Sequence, residues 1–396
     1  MIIGLVGKPS SGKSTTFKAL TLAEVPIAPY PFTTIGKNEG VAYVKVDCAD
    51  TFFNTQCNPR EGYCLNHKRF IPVRLIDVAG LVPEAHKGKG LGLQFLDDLR
   101  QADVLIHVVD ASGGLNERGE PVDPGSHDVC KDVEFLEIEL DMWYLSILKK
   151  GWEKFARGVQ LQNKNVAISI ATQLSGLNVS EDMANDAIRK VGLSSGKPAT
   201  WTEDQLLRLA VELRRQTKPI LIAANKMDLP SSHDNYLKLK EKFPHLTIVP
   251  CAADLELALR EAAKKELIDY IPGENDFTIR GKVSEKQEKA SQYIKDNIFS
   301  KYESTGVQNI LDTAIFEVLK YITIFPGGMN NLADKHGNVL PDAFLLPEGS
   351  TALEFAFKIH TDLGKGFIKA FDVKKKLVIG KDHVLNHLDV IEIVSR

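Results

Sequence analysis

The residues best suited to chemistry form one short run near the start of the chain. Gly7-Lys8-Pro9-Ser10-Ser11-Gly12-Lys13-Ser14, continued by Thr15, fits the pattern G-x-x-x-x-G-K-[ST] at every position. Glycines at 7 and 12 let the backbone curl until its N–H groups face phosphate oxygens. Lys13 brings a charge suited to β- and γ-phosphates, and Ser14 a hydroxyl suited to Mg²⁺. Apolar Ile2–Val6 reads as a strand before the run, and Ser14–Leu22 as a helix after it, whose N-terminus adds a positive dipole end.

Three further groups fit the same chemistry. Asp77-Val78-Ala79-Gly80 ends a strand-like run; the aspartate can reach Mg²⁺ through water, and the Gly80 N–H can sense a γ-phosphate. Gly88, Gly90 and Gly92 behind it suit a switch segment. Pro31-Phe32-Thr33-Thr34-Ile35 supplies two threonines, of which Thr34 is preferred over Thr33 to complete the metal shell with Ser14 and Asp77. Asn225-Lys226-Met227-Asp228 follows the run Ile220–Ala224. The Asp228 carboxylate can accept from guanine N1–H and its 2-amino group together, whereas adenine would leave it unpaired, a mismatch worth roughly 10⁴-fold or more. The Lys226 stem can cover the base, and Asn225 can bridge the base and phosphate loops. Cys251-Ala252-Ala253 can lend a backbone N–H to guanine O6.

These groups need a sheet to hold them. Val41–Val46, Val73–Ile76, Val104–Val109, Ile220–Ala224 and Thr247–Val249 are short, mostly unbroken apolar runs, as buried parallel strands require. Helical stretches such as Leu93–Gln101 and Leu237–Lys242 alternate with them, which predicts an α/β fold with a doubly wound, mostly parallel sheet. The rhythm breaks across residues 127–217, where Val133–Leu148, Asp182–Val191 and Asp204–Leu213 read as helices of an all-helical insert. Three more helical stretches follow Asp254: Leu255–Tyr270, Val283–Ile298 and Gly306–Tyr321. From Ile322 short strands, turns and a helix over Ala352–Ile359 form a compact β+α module. The expected domains are therefore 1–126 with 218–321, 127–217, and 322–396.

Composition narrows the class. The chain has 396 residues, 43% hydrophobic and 26% charged, with a net charge of −3. No global basic field draws it to nucleic acid. Its apolar runs are strand-sized and fall short of the roughly 18 residues of a membrane span, and Met1–Val6 runs straight into the phosphate motif rather than forming a leader. An odd five cysteines fits a reducing cytoplasm better than a secreted disulfide scaffold.

The motifs in this order resemble the translation-factor class of GTPases, and closer features resemble the Obg family. Tyr30-Pro31-Phe32-Thr33-Thr34 looks like its first switch. Asp77-Val78-Ala79-Gly80-Leu81-Val82 with Ala85-His86-Lys87-Gly88-Lys89-Gly90-Leu91-Gly92 looks like its second. Leu346-Pro347-Glu348-Gly349-Ser350-Thr351, Ile359-His360-Thr361-Asp362-Leu363 and Gly366-Phe367-Ile368-Lys369-Ala370 resemble a TGS domain, a ubiquitin-like β-grasp module. A P-loop G domain with a helical insert and C-terminal TGS domain is similar to the YchF-like subfamily. That resemblance implies a cytoplasmic, monomeric switch protein that binds Mg²⁺ and GTP and associates with ribosomes, with RNA contacts through the TGS domain and the insert. It also keeps two alternatives open, an ATP-preferring enzyme and a nucleotide-gated scaffold with negligible turnover. The intact Asp228 favours GTP. Ser10 stands where many Obg-class loops carry the asparagine that helps bind K⁺, which leaves K⁺ dependence open; Cys251 stands where a serine is commoner.

Leu81 occupies the position of the glutamine that aligns water in Ras-like enzymes, so slow turnover is expected and no catalytic base is assigned. His86 is a secondary candidate for an internal helper, set against the reading of an ordinary loop histidine. Cys48, Cys57, Cys64 and His67 lie within twenty residues, but no tight C-x₂₋₄-C pair is present, which argues against zinc and for free thiols or a redox-sensitive Cys57–Cys64 pair. Lys374-Lys375-Lys376 reads as a solvated turn in preference to an RNA-facing patch.

Overall fold

A computed structural model describes residues 1–22, 38–78, 99–281 and 284–396. The chain folds as two compact units, residues 1–15 with 75–252 and residues 16–74 with 253–396. This division by compactness is a different cut from the three domains expected from the sequence.

In the first unit, β1 (Ile2–Val6), β5 (Val104–Asp110), β6 (Ile220–Asn225) and β7 (Thr247–Pro250) form a parallel sheet, with the end of β4 (Lys68–Asp77) on the far side of β1. Every residue of β5 and β6 is buried, which explains apolar runs interrupted before their ends only by His107. In register, Val6 faces His107 and Asp110 faces Asn225, so the strands finish at one edge. In an open parallel sheet that edge is where ligands bind. Helix α1 (Lys13–Thr21) starts there, directly after the Gly-rich run.

Five α-helices occupy the insert: α2 (Cys130–Lys149), α3 (Trp152–Leu161), α4 (Val166–Gln173), α5 (Glu181–Val191) and α6 (Glu203–Thr217). Their starts follow from capping. Asn165 and Ser180 accept from first-turn N–H groups, and Thr202 forms a reciprocal capping box with Gln205. Trp152 stacks on Trp201 at 5.5 Å, and Arg214 ties α6 to Glu137 and Asp141 of α2. Helix α7 (Ser232–Lys242) leads from β6 to β7.

In the second unit β2 (Glu39–Asp47) and β3 (Tyr63–Leu65) flank β4. Helix α8 (Ala253–Lys264) ends earlier than the sequence predicts. Ile268–Tyr270, expected to be helical, is strand β8 and pairs with β9 (Phe277–Ile279). Glu266 adopts a positive φ of 58° after α8, which stops the helix and frees the β-branched and aromatic residues to pair. Helix α9 (Glu285–Ile294) and α10 (Val307–Thr313) both run on into π-helical turns. The second of these ends before Tyr321, the expected last residue of a helix, which instead opens strand β10.

The C-terminal module is a five-stranded mixed sheet of order β11-β10-β14-β12-β13, built from β10 (Tyr321–Pro326), β11 (Phe344–Pro347), β12 (Phe367–Asp372), β13 (Leu377–Ile379) and β14 (Val390–Ser395). Its core includes Ile324, Phe355 and Ile391, with Phe355 supplied by α11 (Ala352–Ile359), and a Thr351–Glu354 capping box starts that helix. One helix packed on a mixed sheet with parallel β10 and β14 at its centre is the β-grasp arrangement expected from the tail segments.

Buried polar links hold the second unit together. Glu256 receives Arg260, Tyr270 and Thr305, while Gln308 accepts from Arg260 and donates to Tyr43 O at 2.9 Å and to Asp312 at 2.8 Å. Arg69, 1% exposed, donates to Leu340 O and Pro341 O, fixing the β3–β4 hairpin to the segment before β11.

Candidate nucleotide-binding site

The Gly-rich loop between β1 and α1 is shaped by two close approaches. Gly7 brings its backbone so near Val108 O that a Cβ would lie 2.6 Å from it. Gly12, at φ +95°, leaves a space that a Cβ would fill at 2.0 Å from Asn225 Nδ2. That amide donates to Ser11 O at 3.0 Å. Asn225 therefore links the phosphate-type loop to the loop after β6, the contact its position at the strand end was expected to allow. Ser10 takes a left-handed φ of 64°. Ser11 is fully buried and its hydroxyl has no protein partner among the described residues. A curled loop at a helix N-terminus with an unpartnered buried hydroxyl suits the oxygens of a phosphate chain.

Lys13 and Lys8 do different things. Lys13 Nζ pairs with Asp77 Oδ1 and donates to Val78 O at 2.8 Å. Two expected phosphate and metal residues thus stand together, neutralising each other's charge. Lys8, 8% exposed, points elsewhere: its Nζ meets Asp132 Oδ2 at 2.7 Å and donates to Leu115 O and Asn116 O. His127 holds the other Asp132 oxygen at 2.9 Å. The Lys8 side chain is thus a tether from the loop to the start of α2, leaving its backbone for a phosphate. Pro9, Ser10 and Ser14 are exposed, Gly12, Lys13 and Thr15 half-buried. Ser14 and Asp77 offer hard oxygen donors of the kind Mg²⁺ prefers.

The loop after β6 is braced from below. Lys226, at φ +66°, extends to Asp110 Oδ2 at 2.8 Å. Asp110 is 1% exposed, and its other oxygen accepts from the Ser112 N–H and hydroxyl. Sequence reading missed Asp110; the available signal was its place at the end of a strand neighbouring the one that precedes Asn225. Leu229 N–H and the Ser232 hydroxyl both donate to Lys226 O, closing the turn that carries half-buried Asp228. Met227 N–H donates to Cys251 O, and Cys251 N–H to Ala224 O, so the Cys251-Ala252 loop is fastened to the same turn. Burial, reinforced by the Asp228 charge, holds the Cys251 thiol well above its ordinary pKa. Protonated, it donates to Asn225 Oδ1 at 3.7 Å, which is a role a serine hydroxyl would fill at shorter range. Ala253 is buried as the first residue of α8.

The remaining sequence candidates, Thr33, Thr34, Gly80, Leu81, His86 and the Gly88–Gly92 run, lie outside the described residues, as does most of Leu93–Gln101. Lys374 donates to Leu388 O and Lys375 pairs with Asp372 and Asp389, so those two charges serve the C-terminal module itself. Among the described residues no helix is long and apolar enough to cross a membrane.

Comparison with known proteins places this site in a lineage. The family described as 50S ribosome-binding GTPase matches residues 2–137, that described as Obg-like GTPase YGR210-like, G4 motif-containing domain matches 223–327, and the TGS domain matches 336–395. A GTP-binding protein of Methanocaldococcus jannaschii is 49% identical across 100% of this chain and 99% of its own. The chain belongs to the YchF-like branch of the Obg family of GTPases. Within that family, a GTP-binding protein of Schizosaccharomyces pombe is 34% identical over 89% of this chain and 88% of its own. The ribosome-binding ATPase YchF of Buchnera aphidicola is 28% identical over 94% of this chain and 88% of its own. The crystal structure of a GTP-binding protein from Pyrococcus horikoshii superposes with a TM-score of 0.80 at 39% identity, covering all of both chains. That of the Schizosaccharomyces pombe YchF GTPase gives 0.59 at 20%, covering 100% of this chain and 97% of that one, and shares the fold. For this Obg-family chain, the P-loop G domain, helical segment and C-terminal TGS domain read from the sequence are thereby secured.

Proposed function

We propose that the chain binds GTP with Mg²⁺, hydrolyses it slowly to GDP and phosphate, and acts in the cytoplasm as a nucleotide-dependent switch on the ribosome. The observation that carries this reading is the Asn225–Ser11 hydrogen bond, which fastens the turn bearing Asp228 to the phosphate-type loop. Residues 7–15 hold the phosphates, with Lys13 leaving Asp77 for the β- and γ-oxygens. Ser14 and Asp77, joined by Thr34, hold the metal, which when bound offsets phosphate charge. Gly80 senses the γ-phosphate. Asp228 selects guanine by its paired donors, the Lys226 stem covers the ring above its Asp110 anchor, and the 251–253 backbone meets guanine O6. With Leu81 at the water-aligning position, phosphoryl transfer rests on positioning and charge, and a partner that adds a positive group would accelerate it about 10³–10⁵-fold.

Relatives named as GTP-binding proteins and as ribosome-binding ATPases support a nucleotide switch and divide on the base. Competition between labelled GTP and ATP decides: a preference for GTP above about a hundredfold is expected, which Asp228→Ala removes. Discrimination below about tenfold would defeat the GTP assignment, and a preference for ATP would replace it with the ATPase reading. Cosedimentation with ribosomes in a GTP analogue, in GDP and without nucleotide tests the switch. Equal pelleting in all three would remove it, and absent phosphate release with ribosomes present would leave a scaffold instead of an enzyme.

A further inference from the structure

We propose that the β2–β4 segment holds a structural zinc ion on Cys48, Cys57, Cys64 and Asp50. The three sulfurs and one Asp50 oxygen lie within 4.8 Å of one another, and Cys48, Asp50 and Cys57 are buried. Cys48 Sγ sits 3.5 Å from Cys57 Sγ. With Zn–S bonds of about 2.3 Å, the edge of a tetrahedron is about 3.8 Å, so seating the ion parts the Cys48 and Cys57 sulfurs slightly from 3.5 Å and closes the wider separations, which reach at most 4.8 Å.

The chain spacing argued against such a site because no two cysteines stand close in sequence. The fold supplies what the spacing lacks. Cys48 directly follows β2, Asp50 sits in the 3₁₀ turn Ala49–Phe53, and the β3–β4 hairpin returns Cys64 to them. Left-handed Asn66 and His67 make that hairpin turn, and His67 O accepts from the Cys48 N–H at 2.8 Å.

The surroundings of the cluster suit a metal. Asp50 is fully buried; one oxygen accepts the Cys57 N–H at 3.0 Å and the other meets His67 Nδ1 at 2.9 Å, fixing the carboxylate as supporting groups fix metal ligands. Arg69 Nη1 lies 3.7 Å from Cys57 Sγ and offsets the negative charge of three thiolates and a carboxylate around a divalent cation. Residues 48–62 contain only one 3₁₀ turn of regular structure, and Phe52 is 57% exposed. A stretch of that length with so little apolar burial is the kind that a metal staples, the thiol protons passing to solvent on binding.

The test uses the full chain, purified reduced and without a metal-binding tag. Elemental analysis should find one zinc per chain, and cobalt added to zinc-stripped protein should give a thiolate-to-metal charge-transfer band that zinc abolishes. Cys57→Ser and Cys64→Ser should lose the band, Asp50→Asn should weaken cobalt affinity by about tenfold or more, and Cys130→Ser should match the parent. Zinc removal should lower Tm without nucleotide present. Should a cysteine variant fail to fold, titration of the unaltered chain decides alone. No charge-transfer band on the reduced chain, a band retained in Cys64→Ser, or a Cys48–Cys57 disulfide in metal-free protein would each overturn the proposal.

Discussion

Asn225 Nδ2 occupies the place a side chain on Gly12 would need: a Cβ there would lie 2.0 Å from it. The same amide holds Ser11 O at 3.0 Å. One hydrogen bond between a strand end and the phosphate-type loop thus demands the second glycine of the motif.

Gly12→Ala should therefore cost more than its volume suggests. The new methyl either expels Asn225 or forces the loop open, and φ of +95° adds strain of about 1–3 kcal/mol for any L side chain. Nucleotide affinity by isothermal titration should fall at least about a hundredfold, with Ser10→Ala as a mild control. Unchanged affinity would refute the coupling.

Arg260 tests the buried polar links of the second unit. It pairs with Glu256 in surroundings where both are almost fully buried, and it donates to Gln308. Arg260→Met strands the Glu256 carboxylate. Urea unfolding should show a loss of about 3–5 kcal/mol, and pairing it with Glu256→Gln should recover part of that loss.

Asp312 should make stability fall with rising pH. Burial raises its carboxyl from 3.8 to about 7, against the opposing pull of the Lys45 N–H and Gln308. A raised folded pKa means its contribution is complete below pH 3.8 and is lost as pH climbs through 7. Asp312→Asn keeps the acceptor for both donors and should abolish this slope. Relative to the parent it should gain on the order of 3 kcal/mol at pH 8. Parallel denaturation curves at pH 5 and 8 would show otherwise.

His107 should act in the opposite sense. It lies in the middle of β5, and burial, assisted by nearby Lys8, pushes its pKa from 6.5 down to about 3. The neutral ring is fully compatible with folding above pH 6.5. As pH falls from 6.5 towards 3, the unfolded chain takes up a proton that the folded one refuses, and stability declines. His107→Gln should flatten that limb in thermal melts; an unaltered acid limb would exclude His107 as its source.

The sequence determined the sites whose geometry is local. Residues 7–14 follow a strand and open a helix, so contiguous spacing implied the cradle, and Asn225-Lys226-Met227-Asp228 announced itself by its place after an apolar run. The run of β6, and that of β5 broken only by His107, disclosed parallel strands because burial on both faces leaves no polar alternation. The helices read over Asp182–Val191 and Asp204–Leu213 are present, starting at Glu181 and Glu203 behind the caps Ser180 and Thr202. The helix expected over Leu255–Tyr270 failed at its end, since a strand of three residues gives too short a pattern to set against a helical one.

Only the tertiary structure decided which side chains meet across long separations. Lys8 turned to Asp132, Lys226 settled on Asp110, and Cys48, Cys57 and Cys64 converged on Asp50. These partners are fixed by strand order, register and hairpin return. No periodicity along the chain records such choices, because each arises from packing between elements that the sequence specifies one at a time.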